Sequence, residues 1–122
     1  MILEKLRQHG VDLDRVMKRF LGKEDMYLKF LKRFLEDESF SNMERYLEQN
    51  NVEEAFKAAH TLKGVVTNLG LESIMCSVLP ITEELRAGSL EEGKNMMEQL
   101  KKEYEMVVNI LKKILRNYES KY

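Results

Sequence analysis

Apolar residues recur along most of this chain at three- and four-residue steps. That is the period of a helix face, not the alternation of a strand. The pattern is clearest from 52 to 70, VEEAFKAAHTLKGVVTNLG, where Val52, Ala55, Phe56, Ala59, Leu62, Val66 and Leu69 share one side. This stretch is predicted as one amphipathic helix closed by a glycine. Upstream, Leu3 and Leu6 suggest a helical turn within a lead-in of residues 1–10. Leu13, Val16, Met17 and Phe20 then form the face of a short helix, with Asp12 placed to cap it and Gly22 to end it. Tyr27, Phe30, Leu31 and Phe34 open a wide apolar stripe. It falters through Glu36, Asp37 and Glu38, then resumes with Phe40, Met43 and Leu47, preceded by the capping pattern Ser41-x-x-Glu44. The pattern fits one long bent helix or two stacked ones, and the bent helix is the reading preferred. Asn50 and Asn51 make the turn into the central helix.

Beyond Gly70, Leu71, Ile74, Val78, Ile81 and Leu85 define a helix over about 71–87. Pro80 lies inside it and predicts a kink, because proline lacks the N–H and crowds the preceding turn. Gly88 closes this helix, and Ser89 with Glu92 marks the start of the last one, which runs to about Tyr118. Four long amphipathic segments can bury one another's faces. The expected fold is all-α, an antiparallel four-helix bundle with an additional short N-terminal helix, forming a single domain over 1–122. A closed bundle also predicts a monomer.

Composition supports this and excludes other classes. The 122 residues hold one proline, no tryptophan and eight methionines, and the formal net charge is −1. Near-neutral charge argues against a nucleic-acid partner. No apolar run approaches the roughly 20 residues that span a bilayer, so no membrane insertion is expected. With no apolar leader in MILEKLRQHG and only one cysteine, the expected compartment is the cytoplasm. Cys76 is expected as a small core residue, and His9, beside Gly10, as an exposed histidine without a role.

Candidate chemistry centres on His60. Its direction on the helix lies about 120° from the core axis, at ~100° per residue, so it faces outward. Lys57 and Gly64 lie on the same side, with Thr67 between them and the core. Lys63 and Gly64, at i+3 and i+4, neighbour His60 on the helix surface. A glycine inside a helix costs about 1 kcal/mol relative to alanine, so Gly64 needs a reason. Close packing against a helix is one; clearance over the imidazole for a partner is the other, and the direction of Gly64 favours it. Imidazole carries a nucleophilic nitrogen near neutral pH, and a lysine one turn away suits an anionic group. The chain has no glycine-rich nucleotide loop, no Glu-x-x-His pair and too few histidines and cysteines for a zinc site. No metal is expected.

Ala59-His60-Thr61-Leu62-Lys63-Gly64, followed by Asn68-Leu69-Gly70, resembles the signature of histidine-containing phosphotransfer (HPt) domains. The flanking stretches GVDLDRVMKRFLGKEDMYLKFLKRFLED and LEEGKNMMEQLKKEYE fit the same family. The resemblance implies a phosphorelay intermediate of two-component signalling. His60 would take a phosphoryl group from a receiver-domain aspartate and pass it to another receiver, with Lys63 stabilising the phosphoryl group. Lys57, Thr61, Gly64 and Thr67 would meet the partner. So would Thr82, which stands where the family often has a glutamine on the next helix. The implied partners are response-regulator receiver domains and a hybrid or sensor histidine kinase. No cofactor is implied for this chain, the magnesium being supplied by the receiver, and no ATP-dependent kinase activity of its own. Two alternatives stand beside this: a non-catalytic helical module that binds receivers or kinases, and the substrate domain of a chemotaxis-type or hybrid histidine kinase.

Overall fold

The structure is a computed structural model in which residues 3–119 are described. Among these, the chain forms α1 (Glu4–Arg7), α2 (Leu13–Arg19), α3 (Glu24–Leu35), α4 (Ser39–Glu48), α5 (Val52–Asn68), α6 (Glu72–Arg86) and α7 (Leu90–Glu119). The cap foreseen for α2 is present, and α5 is capped in the same way. Asp12 accepts from the Arg15 N–H at 3.1 Å, and Asn51 from the Glu54 N–H at 3.3 Å. Each satisfies an amide that the first helical turn leaves unpaired.

The stripe across 24–48 is two helices, not one bent helix. Three consecutive acids follow α3 at its C-terminal end, where the helix dipole disfavours negative charge. The Glu36 and Asp37 amides bond back to Arg33 and Phe34, tightening the last turn. The Asp37 carboxylate then accepts from the Ser39 N–H at 2.8 Å and α4 restarts there. Ser41 lies inside α4 and does not cap it; its hydroxyl donates to the Glu38 carbonyl.

The bundle is antiparallel. α5 packs on α4 and α6, α6 on α7, and α7 on both α3 and α4. Thus α3 and α4 together supply one bundle helix, while α7, about 45 Å long at ~1.5 Å per residue, supplies another. Tyr104 of α7 sits at the α3–α4 break, stacked on Phe40 at 4.2 Å and edge-on to Phe34 at 5.8 Å. α5 is buried along Ala55, Ala59, Leu62 and Val66. The alanines let neighbouring helices approach the central one. α6 continues as helix through Pro80. Pro80 and Cys76 are both exposed, and the Cys76 carbonyl lacks its usual amide donor. Cys76 is not a core residue: two positions from Ile74 and from Val78, it points away from both.

The N-terminal addition is two short helices, α1 and α2, and it closes the end of the α5–α6 hairpin. Val11 pairs with Leu71 in an isolated antiparallel bridge. Arg19 donates through Nη1 to the carbonyls of Thr67 and Asn68 at 2.9 and 2.6 Å, placing a cation at the negative end of α5. From α3, the buried Tyr27 hydroxyl donates to the Leu69 carbonyl at 2.7 Å. Gly70 at this junction has φ +70°, and a Cβ there would collide with the Val16 side chain. Only glycine fits.

Candidate functional site

α5 exposes a row on the side away from its alanines. His60, Thr61, Gly64 and Thr67 are exposed along it, with Lys57 exposed one turn before His60 and Lys63 half-buried at its edge. A Cβ built on Gly64 would meet nothing within 4 Å. Helix packing is therefore not the reason for this glycine, and the space one turn beyond the imidazole is open.

The neighbours of His60 divide by availability. Lys57 is engaged with Glu54 at 3.3 Å. Lys63 makes no hydrogen bond or ion pair among the described residues. Its stem is covered and its charge is unclaimed. The Thr61 hydroxyl donates to the Lys57 carbonyl at 3.0 Å. Thr67 is exposed, and its backbone carbonyl is held by Arg19. Thr82 is different: it is fully buried, and its hydroxyl donates to the Val78 carbonyl at 2.8 Å. It lies off the exposed face and offers a docking protein nothing. Thr82 and His60 are about equally far along the chain from the turn at Gly70 and Leu71, but the Thr82 side chain is turned inward.

Three residues join this site that the sequence reading did not assign to it. The Phe56 ring lies 5.9 Å from the His60 ring, centroid to centroid. The Arg86 guanidinium of α6 lies over Phe56, 5.4 Å from its centroid. Arg86 also pairs with Glu83 at 3.5 Å, both side chains more than half exposed. An exposed ion pair of this kind contributes about 0–1 kcal/mol and an exposed cation–π contact about 0.5–1 kcal/mol. Arg86 is thus loosely held, one ring away from the imidazole. A signal for it existed. In a hairpin turning at Gly70 and Leu71, residues about equally far from the turn sit level, and Phe56 and Arg86 are such a pair.

The surface therefore presents an imidazole, an unclaimed lysine, a releasable arginine and open space. That set can receive an anionic group delivered by another protein. Among the described residues no three His, Cys, Asp or Glu side chains are grouped to hold a metal ion, and no helix is long and apolar enough to cross a membrane. The only cysteine, Cys76, is exposed.

Fold and site together define a helical bundle that offers one histidine on the face of a central helix. The family model for the Hpt domain matches residues 25–110, more than half of the chain, and the chain belongs to that family. Neither a curated protein nor a solved structure matches it. Membership assigns the chain, in general terms, to histidine phosphotransfer in phosphorelays and to dealings with receiver domains and histidine kinases.

Proposed function

We propose that His60 is the phosphoryl acceptor of a relay between receiver domains. One observation carries this most: the imidazole is exposed and the volume one turn on, over Gly64, is empty. A receiver's aspartyl phosphate has to bring its phosphorus within bonding reach of an imidazole nitrogen, which demands close approach of two protein surfaces. A side chain at position 64 would stand in the way.

The neutral imidazole attacks phosphorus with its lone pair, so no base has to remove a proton first. The bond to the aspartate oxygen breaks as the nitrogen–phosphorus bond forms, and the aspartate leaves as carboxylate. The reverse steps deliver the group to the second receiver. Such transfer is mostly positioning and charge stabilisation. Lys63, without a partner among the described residues, supplies a charge-assisted hydrogen bond to the phosphoryl oxygens. Lys57, Thr61 and Thr67 flank the docking surface. Any magnesium arrives with the receiver, and the chain acts in the cytoplasm as a monomer without kinase activity of its own.

The test is transfer from a panel of receivers, each charged with a small acyl-phosphate donor, onto the wild-type protein and His60→Gln. An acid-labile phosphoryl group on the wild type alone is the expected result. Receivers that bind over His60 yet never transfer would instead make the chain a non-catalytic docking module.

A further inference from the structure

We propose that Arg86 changes partner when His60 is phosphorylated, leaving Phe56 and Glu83 to bind the phosphoryl oxygens. This rests on His60 being the acceptor and adds a second cation from a different helix. Three observations carry it. Arg86 sits over Phe56, and Phe56 sits beside His60, so guanidinium and imidazole share one aromatic neighbour. The ion pair that holds Arg86 to Glu83 is long, at 3.5 Å, and exposed on both sides. The third is a shortage of charge. A phosphoryl group brings nearly two negative charges, while Lys63 is one cation and Lys57 is already engaged with Glu54.

The exchange favours the phosphorylated state because a guanidinium fork matches two phosphoryl oxygens at once, and a carboxylate at 3.5 Å with an aromatic face does not. It also carries a signal. In the free protein Arg86 covers the face of Phe56, which is half-buried. When Arg86 leaves, that ring face is uncovered beside the phosphoryl group, and an incoming receiver meets a different surface.

The experiment needs no receiver. Phosphoramidate, a small donor that releases ammonia on transfer, is used to phosphorylate the full chain. The lifetime of the phosphohistidine is then followed in the wild type, Arg86→Gln, Phe56→Leu and Glu83→Gln. Phosphoryl groups leave through a loose, metaphosphate-like state. Less charge then remains on the phosphoryl oxygens, so a cation bound to them favours the intact phosphohistidine. Losing one charge-assisted contact shortens the lifetime about fivefold in Arg86→Gln, by the usual conversion of binding free energy into rate. Phe56→Leu lengthens it, because the ring face that competes for the arginine is gone. Glu83→Gln lengthens it, because the competing carboxylate is gone. In the wild type, the Arg86 side-chain N–H resonance moves on phosphorylation, which a merely structural arginine would not show. An Arg86→Gln lifetime equal to wild type, or an unmoved Arg86 resonance, overturns the inference and leaves the relay reading intact. No phosphoryl group on His60 in the wild type overturns both.

Discussion

At the scale of single residues, two glycines six positions apart do opposite work. Gly70 is required by this fold, since its positive φ and the Val16 side chain both exclude a Cβ. Gly64 is not, because a Cβ there meets nothing. Replacing Gly64 by alanine therefore stabilises the protein by up to about 1 kcal/mol, the helix-propensity difference. In the same variant, transfer from a charged receiver falls. Urea unfolding and transfer kinetics on one sample check both, and the opposite signs are the point. The sequence showed that Gly64 needed a reason, and its direction on the helix wheel argued against close helix packing, which the open space around it excludes. For Arg86 it held only a hairpin count that sets it level with Phe56; the guanidinium belongs to another helix and reaches the site through that ring. Nor did it show that Thr82 turns inward, because spacing fixes a residue's level along a hairpin better than its rotation.

At the scale of elements, apolar periodicity located the helices well. The predicted helix over 52–70 is α5 at Val52–Asn68, and the one over 71–87 is α6 at Glu72–Arg86. The break between α3 and α4 was visible only as a lapse in the stripe. What decides it is a local competition: the Asp37 side chain offers the chain a cap that a continuous helix would have to forgo. Pro80 shows the converse. Packing of Ile74, Val78, Ile81 and Leu85 keeps α6 helical through a residue that lacks the N–H. Its penalty is still present in the folded state. Pro80→Ala restores a donor for the Cys76 carbonyl and removes the ring's crowding. After allowing for the looser unfolded chain, it raises stability by about 1–2 kcal/mol. The urea midpoint, at unchanged m-value, measures the gain.

At the scale of the whole molecule, the buried Tyr27 and the half-buried Tyr104 give the protein an alkaline limit. Burial pushes the Tyr27 hydroxyl well above the ordinary tyrosine range. Tyr104 is raised too, first by burial and then by the nearby charges of Asp37 and Glu44. Both are held neutral in the fold, whereas the unfolded chain ionises a tyrosine near pH 10. Their contribution is therefore complete below that pH and is lost as pH rises from there toward the raised folded values. Tyr27 contributes a slope of up to about 1.4 kcal/mol per pH unit in that window, and the half-exposed Tyr104 contributes less. Unfolding titrations from pH 8 to 11.5 should show a downturn above pH 10. Tyr27→Phe, though less stable at neutral pH because the Leu69 carbonyl loses its donor, should show a shallower one.

The clasp of α1 and α2 on the α5–α6 turn has a consequence for how this molecule is divided. Kinship with the family extends over residues 25–110, yet the hydrophobic core does not stop there. Leu3, Leu6, Val11, Leu13, Val16 and Phe20 on one side, and Leu111, Ile114 and Leu115 on the other, all belong to the same buried cluster. A fragment trimmed to the matched span would keep His60 and every residue around it. It would also leave the far end of the histidine helix without Arg19 on its last carbonyls and the Gly70 junction without Val16 against it. The smallest piece that carries the chemistry is therefore shorter than the smallest piece that holds it still.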